Sequence, residues 1–92
     1  MNNIKNKTFK LIIKTAISKT GDNAVLLDLE SGKYFDLNDV ALLIVENLYE
    51  HRTFKEIKDI VLNNYNITES ECDEDILSFL QNLIERDFLE VI

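Results

Sequence analysis

The stretch from Asn23 to Asn38 constrains the fold of this chain most, because its alternating apolar and polar residues predict a β-hairpin that leads directly into a helix. In the first arm, Val25, Leu27 and Leu29 share one face of the predicted strand. Gly32 supplies the turn, since glycine adopts a positive φ at little steric cost. We therefore expect two antiparallel strands joined by a tight turn before residue 38.

The second arm of the hairpin, Lys33 to Leu37, is predicted to end at the start of a helix. Phe35 and Leu37 fall on one face of this strand, and Tyr34 falls on the other. Asn38 is the predicted N-cap, because its side-chain oxygen can accept a hydrogen bond from an N–H of the first helical turn. This arm is the last strand before the helices, so we expect it to lie at the edge of the sheet.

The rest of the chain completes an α+β pattern in which three strands precede three helices. Residues 9–17 alternate, with Phe9, Leu11, Ile13 and Ile17 on one face, and predict the first strand of a three-stranded antiparallel sheet. Apolar residues at helical spacing then predict three α-helices. Capping-box patterns, in which a threonine precedes a glutamate by three residues, begin the second and third helices. This order is compatible with a winged-helix-like arrangement.

A single domain spanning residues 1–92 is expected, because a chain of 92 residues can bury only one modest core. Residues 1–7 are polar and are expected to fray, and residues 88–92 predict either a second frayed end or a short return strand. The sequence contains no apolar run of membrane-spanning length and no signal-peptide pattern, which favours the cytoplasm.

Residues that catalyse reactions or hold cofactors are scarce in this sequence. His51, the only histidine, lies at a predicted helix end with no nucleophile near it in sequence. Cys72, the only cysteine, stands among acidic residues that oppose formation of a thiolate. The two glycines do not form a phosphate-binding loop, and the spacing of the acidic residues matches no calcium loop. We therefore expect a binding module that is not an enzyme and uses no cofactor or metal.

Three kinds of binding module are compatible with these observations. A winged-helix protein often inserts a helix into DNA, but the net charge of −7 and the acidic start of the third helix oppose contact with phosphate. A structural module would pair its strand edge with a second copy of the chain. The expected state of this chain is a monomer or a weak homodimer. A peptide-binding module would add an extended segment to the same edge, beside a partly apolar helix. We expect neither nucleic acid nor membrane among the partners.

Three parts of the sequence together resemble the PqqD-like family. The first is the hairpin run VLLDLxSGKYFxLN, from Val25 to Asn38. The second is Arg52-Thr53, which opens the second predicted helix. The third is the pattern DIxxFLxxL of the third helix, from Asp75 to Leu83. The resemblance extends over about residues 23–89, and the first predicted strand is similar only in type.

The resemblance implies a recognition element for precursor peptides in the biosynthesis of ribosomally made, post-translationally modified peptides. Such domains have a winged-helix-like fold of three strands and three helices. They bind the leader segment of a precursor peptide as an added β-strand between the third strand and the third helix. They then present the precursor to a modifying enzyme or a leader peptidase of the same pathway, which for this chain is expected to be a lasso-peptide or similar pathway.

The resemblance also implies which residues form the peptide-binding site. The pairing edge would consist of Lys33, Tyr34, Phe35, Asp36 and Leu37. The opposing wall would consist of Ile76, Phe79, Leu80 and Leu83, with Asp75 able to meet a basic leader residue. Among these, Phe35 and Leu37 are expected to shape the groove from the core beneath it, whereas Tyr34 is expected to contact the peptide directly.

Overall fold

The computed structural model describes residues 4–92, and residues 1–3 lie outside the described part. The strands are β1 (Thr8–Leu11), β2 (Thr15–Thr20), β3 (Asn23–Asp28), β4 (Tyr34–Leu37), β5 (Arg52–Thr53) and β6 (Leu89–Val91). The helices are α1 (Asp39–Glu46), α2 (Phe54–Asn64) and α3 (Glu69–Glu85), and a short 3-10 helix spans Ile4–Asn6. The α+β class is confirmed. Within residues 4–92, no helix is long and apolar enough to cross a membrane.

The strands form two antiparallel sheets, where the sequence predicts one. The first sheet has the order β2-β3-β4, and it contains the predicted hairpin with Leu26 of β3 opposite Phe35 of β4. The second sheet has the order β5-β1-β6, and it joins the beginning, the middle and the end of the described chain. The predicted first strand therefore contributes to both sheets, since β1 belongs to one and β2 to the other.

A turn at residues 12–14 causes this division, so the prediction of one strand over residues 9–17 is wrong. The backbone N–H and the hydroxyl of Thr15 both donate hydrogen bonds to the carbonyl oxygen of Ile12, at 3.0 and 2.7 Å. These bonds reverse the chain without any glycine, proline or asparagine. Ile13, which the alternation puts on the same face as Phe9, sits at this turn and is 94% exposed.

The beginning and the end of the described chain are both ordered. Ile4 is buried, and Lys5 Nζ lies 3.5 Å from the Asp73 carboxylate and 5.7 Å from the centroid of the Phe54 ring. The expectation that residues 1–7 fray is therefore wrong for residues 4–7, while residues 1–3 are outside the described part. At the other end, β6 pairs with β1, so the return strand is the correct alternative.

The three predicted helix caps are confirmed. Asn38 Oδ1 accepts a hydrogen bond from the N–H of Ala41 at 2.8 Å, so α1 begins directly after β4. Thr53 and Glu56 form a complete capping box at the start of α2, with bonds of 3.1 and 2.8 Å. Thr68 accepts a hydrogen bond from the N–H of Glu71 at the start of α3, but the second bond of a capping box, from the Thr68 N–H to the Glu71 side chain, is not formed. These caps fix where each helix begins.

The first arm of the hairpin buries the face opposite to the one that its alternating apolar residues predict. Val25, Leu27 and Leu29 lie on the outer side, where Leu29 is 63% exposed. The face that packs against the helices carries Leu26, which is fully buried, and Asp28, which is 1% exposed. A charged residue at an inner position makes this arrangement hard to recognise from sequence, because buried carboxylates require dedicated partners.

Asp28 has those partners in its own turn and in the turn that precedes β2. Its Oδ1 accepts hydrogen bonds from the N–H groups of Glu30 and Ser31, at 2.9 and 3.2 Å, and Lys14 Nζ lies 3.3 Å from Oδ2. Burial alone would raise the pKa of this carboxyl, but the hydrogen bonds from the two N–H groups and Lys14 outweigh that effect and lower the pKa to about 2. Asp28 therefore fixes the turn that precedes β4.

Replacing Asp28 with asparagine is expected to destabilise the fold at neutral pH, with a deficit that shrinks in acid. The folded-state pKa of about 2 lies below the unfolded value, so the contribution of the ionised carboxyl is present above pH 4 and is lost as the pH falls towards 2. Urea unfolding of wild type and Asp28→Asn between pH 7 and pH 2 measures the difference. Asp36→Asn, on the exposed edge strand, controls for loss of one charge; a deficit independent of pH would contradict the prediction.

Candidate functional site

β4 is an edge strand of the β2-β3-β4 sheet, and its second edge pairs with no strand in residues 4–92. The Asp28 N–H donates to the Lys33 carbonyl oxygen at 2.8 Å, at the start of the β3–β4 ladder. Bonded and non-bonded positions alternate in an antiparallel ladder, so the backbone groups of Phe35 and Leu37 face β3. The backbone N–H and C=O groups of Tyr34 and Asp36 therefore point towards the unpaired edge.

Helix α3 lies beside this edge and contacts β4 through aromatic side chains. The rings of Phe35 and Phe79 meet edge to face, with centroids 5.8 Å apart and an interplanar angle of 70°. Phe35 also packs against Phe88, which follows α3, at 6.4 Å. Phe35 and Phe79 are both half-buried. We call the space between the unpaired edge of β4 and α3 the β4–α3 groove.

The groove-facing side of α3 continues to Arg86, the C-cap of the helix, which the sequence pattern does not identify as a site residue. Asp75, Phe79 and Arg86 lie at helical spacings of four and seven residues, which places them along one side of the helix and its cap. The guanidinium carbon of Arg86 lies 5.1 Å from the centroid of the Phe35 ring. Continuing the helical period past Leu83 would have identified Arg86, but the family pattern ends at that leucine.

The two ends of the β4–α3 groove differ in character. At the start of β4, a depression of about 450 Å³ is lined by Lys33, Tyr34, Arg86 and their neighbours. At the end of β4, a depression of about 350 Å³ lies between α1, the end of α2 and α3. Its lining is mostly apolar, with Asp75 among the few polar groups. One end therefore presents basic side chains, and the other presents an apolar surface next to a carboxylate.

The structure assigns the ten predicted site residues to three levels of exposure. Exposed side chains belong to Lys33, Tyr34, Asp36 and Asp75, with Tyr34 61% exposed. The two half-buried side chains belong to Phe35 and Phe79, which contact each other. Buried side chains belong to Leu37, Ile76, Leu80 and Leu83. The two predicted segments are thus brought together, while these four aliphatic side chains lie in the core.

Most of this chain matches the model of a known protein family. The family model described as "Coenzyme PQQ synthesis protein D (PqqD)" matches residues 23–89. The chain belongs to the PqqD family. The match covers the hairpin, β4 and α3, and it confirms the family indicated by the three sequence patterns. No curated protein sequence matches this PqqD-family chain significantly.

Two solved structures are similar to this PqqD-family chain. One is TbiB1 in complex with the TbiA(beta) leader peptide, with 30% sequence identity and a TM-score of 0.76 over 88% of this chain and 94% of that chain. The other is lasso peptide synthetase B1 complexed with the leader peptide, with 28% identity and a TM-score of 0.75 over 89% of this chain and 96% of that one. The shared fold thus extends beyond residues 23–89 to nearly the whole PqqD-family chain.

Ion pairs on the far side of α3 compensate part of its acidic first turns. Lys58 Nζ lies 2.8 Å from Glu69 and 3.0 Å from Asp73, and the hydrogen bond to Glu69, followed by that to Asp73, raises the pKa of Lys58 above its usual range. Lys58 in turn lowers the pKa of Asp73. These pairs join α2 to α3 away from β4. Asp75 has no ion pair among residues 4–92 in this PqqD-family chain, and it remains exposed beside the groove.

Two kinds of reactive group, a thiolate and a metal cluster, are not available beside the groove in residues 4–92. Cys72 is fully buried, and burial raises the pKa of its thiol, which disfavours the nucleophilic thiolate. Within the described residues, no group of three or more histidine, cysteine, aspartate and glutamate side chains could hold a metal ion. What the PqqD-family chain offers instead is an unpaired strand edge with hydrogen-bonding groups and an adjacent aromatic surface.

Proposed function

We propose that this chain is a non-catalytic recognition element that binds the leader segment of a ribosomally made precursor peptide. The observation that carries the proposal is the unpaired edge of β4 beside Phe79 of α3. An extended peptide satisfies such an edge by adding a strand, and the neighbouring helix supplies contacts for its side chains. The similarity to two proteins in complex with leader peptides supports this function for the present chain.

In the proposed complex, the backbone of Tyr34 and Asp36 bonds to the peptide. Alternate peptide side chains enter the β4–α3 groove, where Phe35 and Phe79 provide apolar contact area. The side chain of Tyr34 is exposed on the other face of the strand and covers the outward-facing peptide residues. Asp75, at the far end of the groove, attracts a basic residue of the leader.

The buried members of the predicted site act through shape in this proposal. Leu37, Leu80 and Leu83 are at most 8% exposed and support the aromatic pair from beneath. Ile76 is also buried, but it forms part of the floor of the apolar depression at the end of the groove. Their substitution would disturb folding and binding together, since large-to-small changes in a core typically cost 2–5 kcal/mol. Substitutions that separate binding from folding must therefore be made at the exposed and half-buried positions.

The proposal includes a second step, in which the bound precursor is presented to an enzyme. We propose a modifying enzyme or a leader peptidase of a lasso-peptide or similar pathway as this partner, in line with the similarity to lasso peptide synthetase B1. A peptide held only by its leader keeps its remaining residues accessible for modification. The chain itself is proposed to act as a monomer, because self-pairing would occupy the edge of β4 that the leader requires.

A fluorescence-anisotropy titration tests the proposed function. The probe is the labelled leader segment of a short precursor peptide encoded beside this protein, and a scrambled version of the same segment is the control. We expect saturable binding with a Kd near or below about 1 μM, or roughly −8 kcal/mol, for the native segment only. Equal binding of both peptides would contradict the proposal, as would a dimer that persists in sedimentation when peptide is added.

A further inference from the structure

We propose that the end of the β4–α3 groove at Lys33 and Arg86 recognises a carboxylate side chain of the bound peptide. This inference rests on the proposed peptide-binding function and specifies the chemistry of one ligand position. It assigns to the leader an aspartate or glutamate at a fixed distance from an apolar residue. Lys33 and Arg86 are the residues that determine the preference for an acidic residue at that position.

The position of Arg86 supports the proposal first. Its side chain lines the depression that contains Lys33 and Tyr34, and also an adjoining depression of about 440 Å³ that contains Phe35 and Asp36. The guanidinium carbon lies 5.1 Å from the centroid of the Phe35 ring. Contact with an aromatic ring leaves the N–H donors at the rim of the planar group available, and their fork matches the two oxygens of a carboxylate.

The charge balance of the protein supports it independently. The chain carries a net charge of −7, and six of its ten basic side chains form ion pairs with acidic residues. Lys33 and Arg86 form none within residues 4–92, although both line one depression. Asp36 also lines one of the two depressions, but it forms an ion pair with neither basic side chain. The two positive charges next to the unpaired edge of β4 are therefore complementary to an anionic group on the added strand.

The apolar depression at the other end of the groove predicts how far the carboxylate lies from an apolar residue of the peptide. The apolar depression next to Asp75 is at the end of β4, whereas Lys33 precedes its first residue. Strand residues advance about 3.3 Å each, so the four residues of β4 separate the two ends by roughly 13 Å. Side chains two residues apart share a face, so the acidic residue and the apolar residue are expected about four positions apart.

Selection from a display library of short random peptides tests this inference without knowledge of the natural leader. The library is sorted on the immobilised full-length wild type, and on Arg86→Gln, Arg86→Glu and Lys33→Gln in parallel. Lys7→Glu, an exposed lysine that lines neither depression, is the matched control for a charge change. Circular dichroism of each variant verifies that the fold is retained.

We expect wild type and Lys7→Glu to enrich Asp or Glu at one position, about four residues from an apolar one. Selected peptides should bind Arg86→Gln about fivefold more weakly, as for a partly exposed charge-assisted pair, and Arg86→Glu should select Lys or Arg at that position. Peptides that bind without acidic preference, or with the same preference for every variant, would overturn this inference alone. Absence of any peptide whose binding requires the edge of β4 would instead overturn the proposed function.

Discussion

Replacing Asp36 with proline is expected to weaken leader binding roughly 30-fold, or about 2 kcal/mol, because it removes a donor and leaves a peptide carbonyl without a partner, which costs about 1–3 kcal/mol. The N–H of Asp36 points away from β3, so the substitution leaves the β3–β4 ladder intact. Proline is tolerated on edge strands for this reason, and its ring also occupies the path of an added strand. Anisotropy titration of the labelled leader against Asp36→Pro measures the loss.

Asp36→Ala is the matched control for this substitution. It removes the same carboxylate but keeps the backbone N–H, so its affinity for the leader should remain within about threefold of wild type, which is less than 1 kcal/mol. Both variants should have the circular dichroism and the cooperative urea unfolding of wild type. If proline and alanine weaken binding equally, the backbone of β4 does not bind the peptide, and strand addition at this edge is refuted.

Replacing Phe79 with alanine is expected to weaken leader binding by about 30-fold, or about 2 kcal/mol, as for an aromatic hot spot in an interface. Phe79 is half-buried and contacts Phe35 at 5.8 Å, so its ring provides apolar surface on the α3 side of the groove. Truncation removes this surface and leaves β4 and its hydrogen-bonding groups in place. The measurement is again the leader Kd, accompanied by the free energy of unfolding in urea.

Leu77→Ala provides the matched control on the same helix. Leu77 is also half-buried and packs against the core, but two residues along a helix place it about 200° away from Phe79. Both truncations should lower the free energy of unfolding by comparable amounts, and only Phe79→Ala should change the Kd markedly. If the affinity falls in both variants in proportion to stability, α3 does not form a wall of the binding site.

The elements that the sequence predicts correctly are those that neighbouring residues determine. Asn38, Thr53 and Thr68 cap helices because each side chain accepts an N–H only three residues ahead. The hairpin is equally local, since Gly32 has a φ of 77° in the turn between β3 and β4. Short-range chemistry of this kind is independent of the remainder of the fold, and sequence reasoning therefore identifies it.

The elements that the sequence does not predict depend on distant residues. β5 consists of Arg52 and Thr53 alone, and it is a strand because it pairs with β1, more than forty positions earlier in the chain. A pair of residues carries no alternation that could reveal a strand. The inner position of Asp28 is similar, since its buried carboxylate pairs with Lys14, which belongs to a different turn of the chain.

The predicted site shows the same division between local and distant determinants. Phe35 and Phe79 are predicted site residues from separate segments, and the structure brings them into contact. The helical period of α3 yields a broad apolar stripe, but it does not say that Leu80 and Leu83 are fully buried while Phe79 is not. That distinction depends on which neighbours cover each side of the helix.

The restraint of β4 at both of its ends has an entropic consequence. The carboxylate of Asp28 holds the turn before the strand, and the side chain of Asn38 caps the helix that begins directly after it. The four residues of β4 thus have little conformational freedom left to lose when a partner is added. Ordering a flexible backbone costs about 1–2 kcal/mol per residue, so a pre-organised edge confines that cost to the incoming peptide.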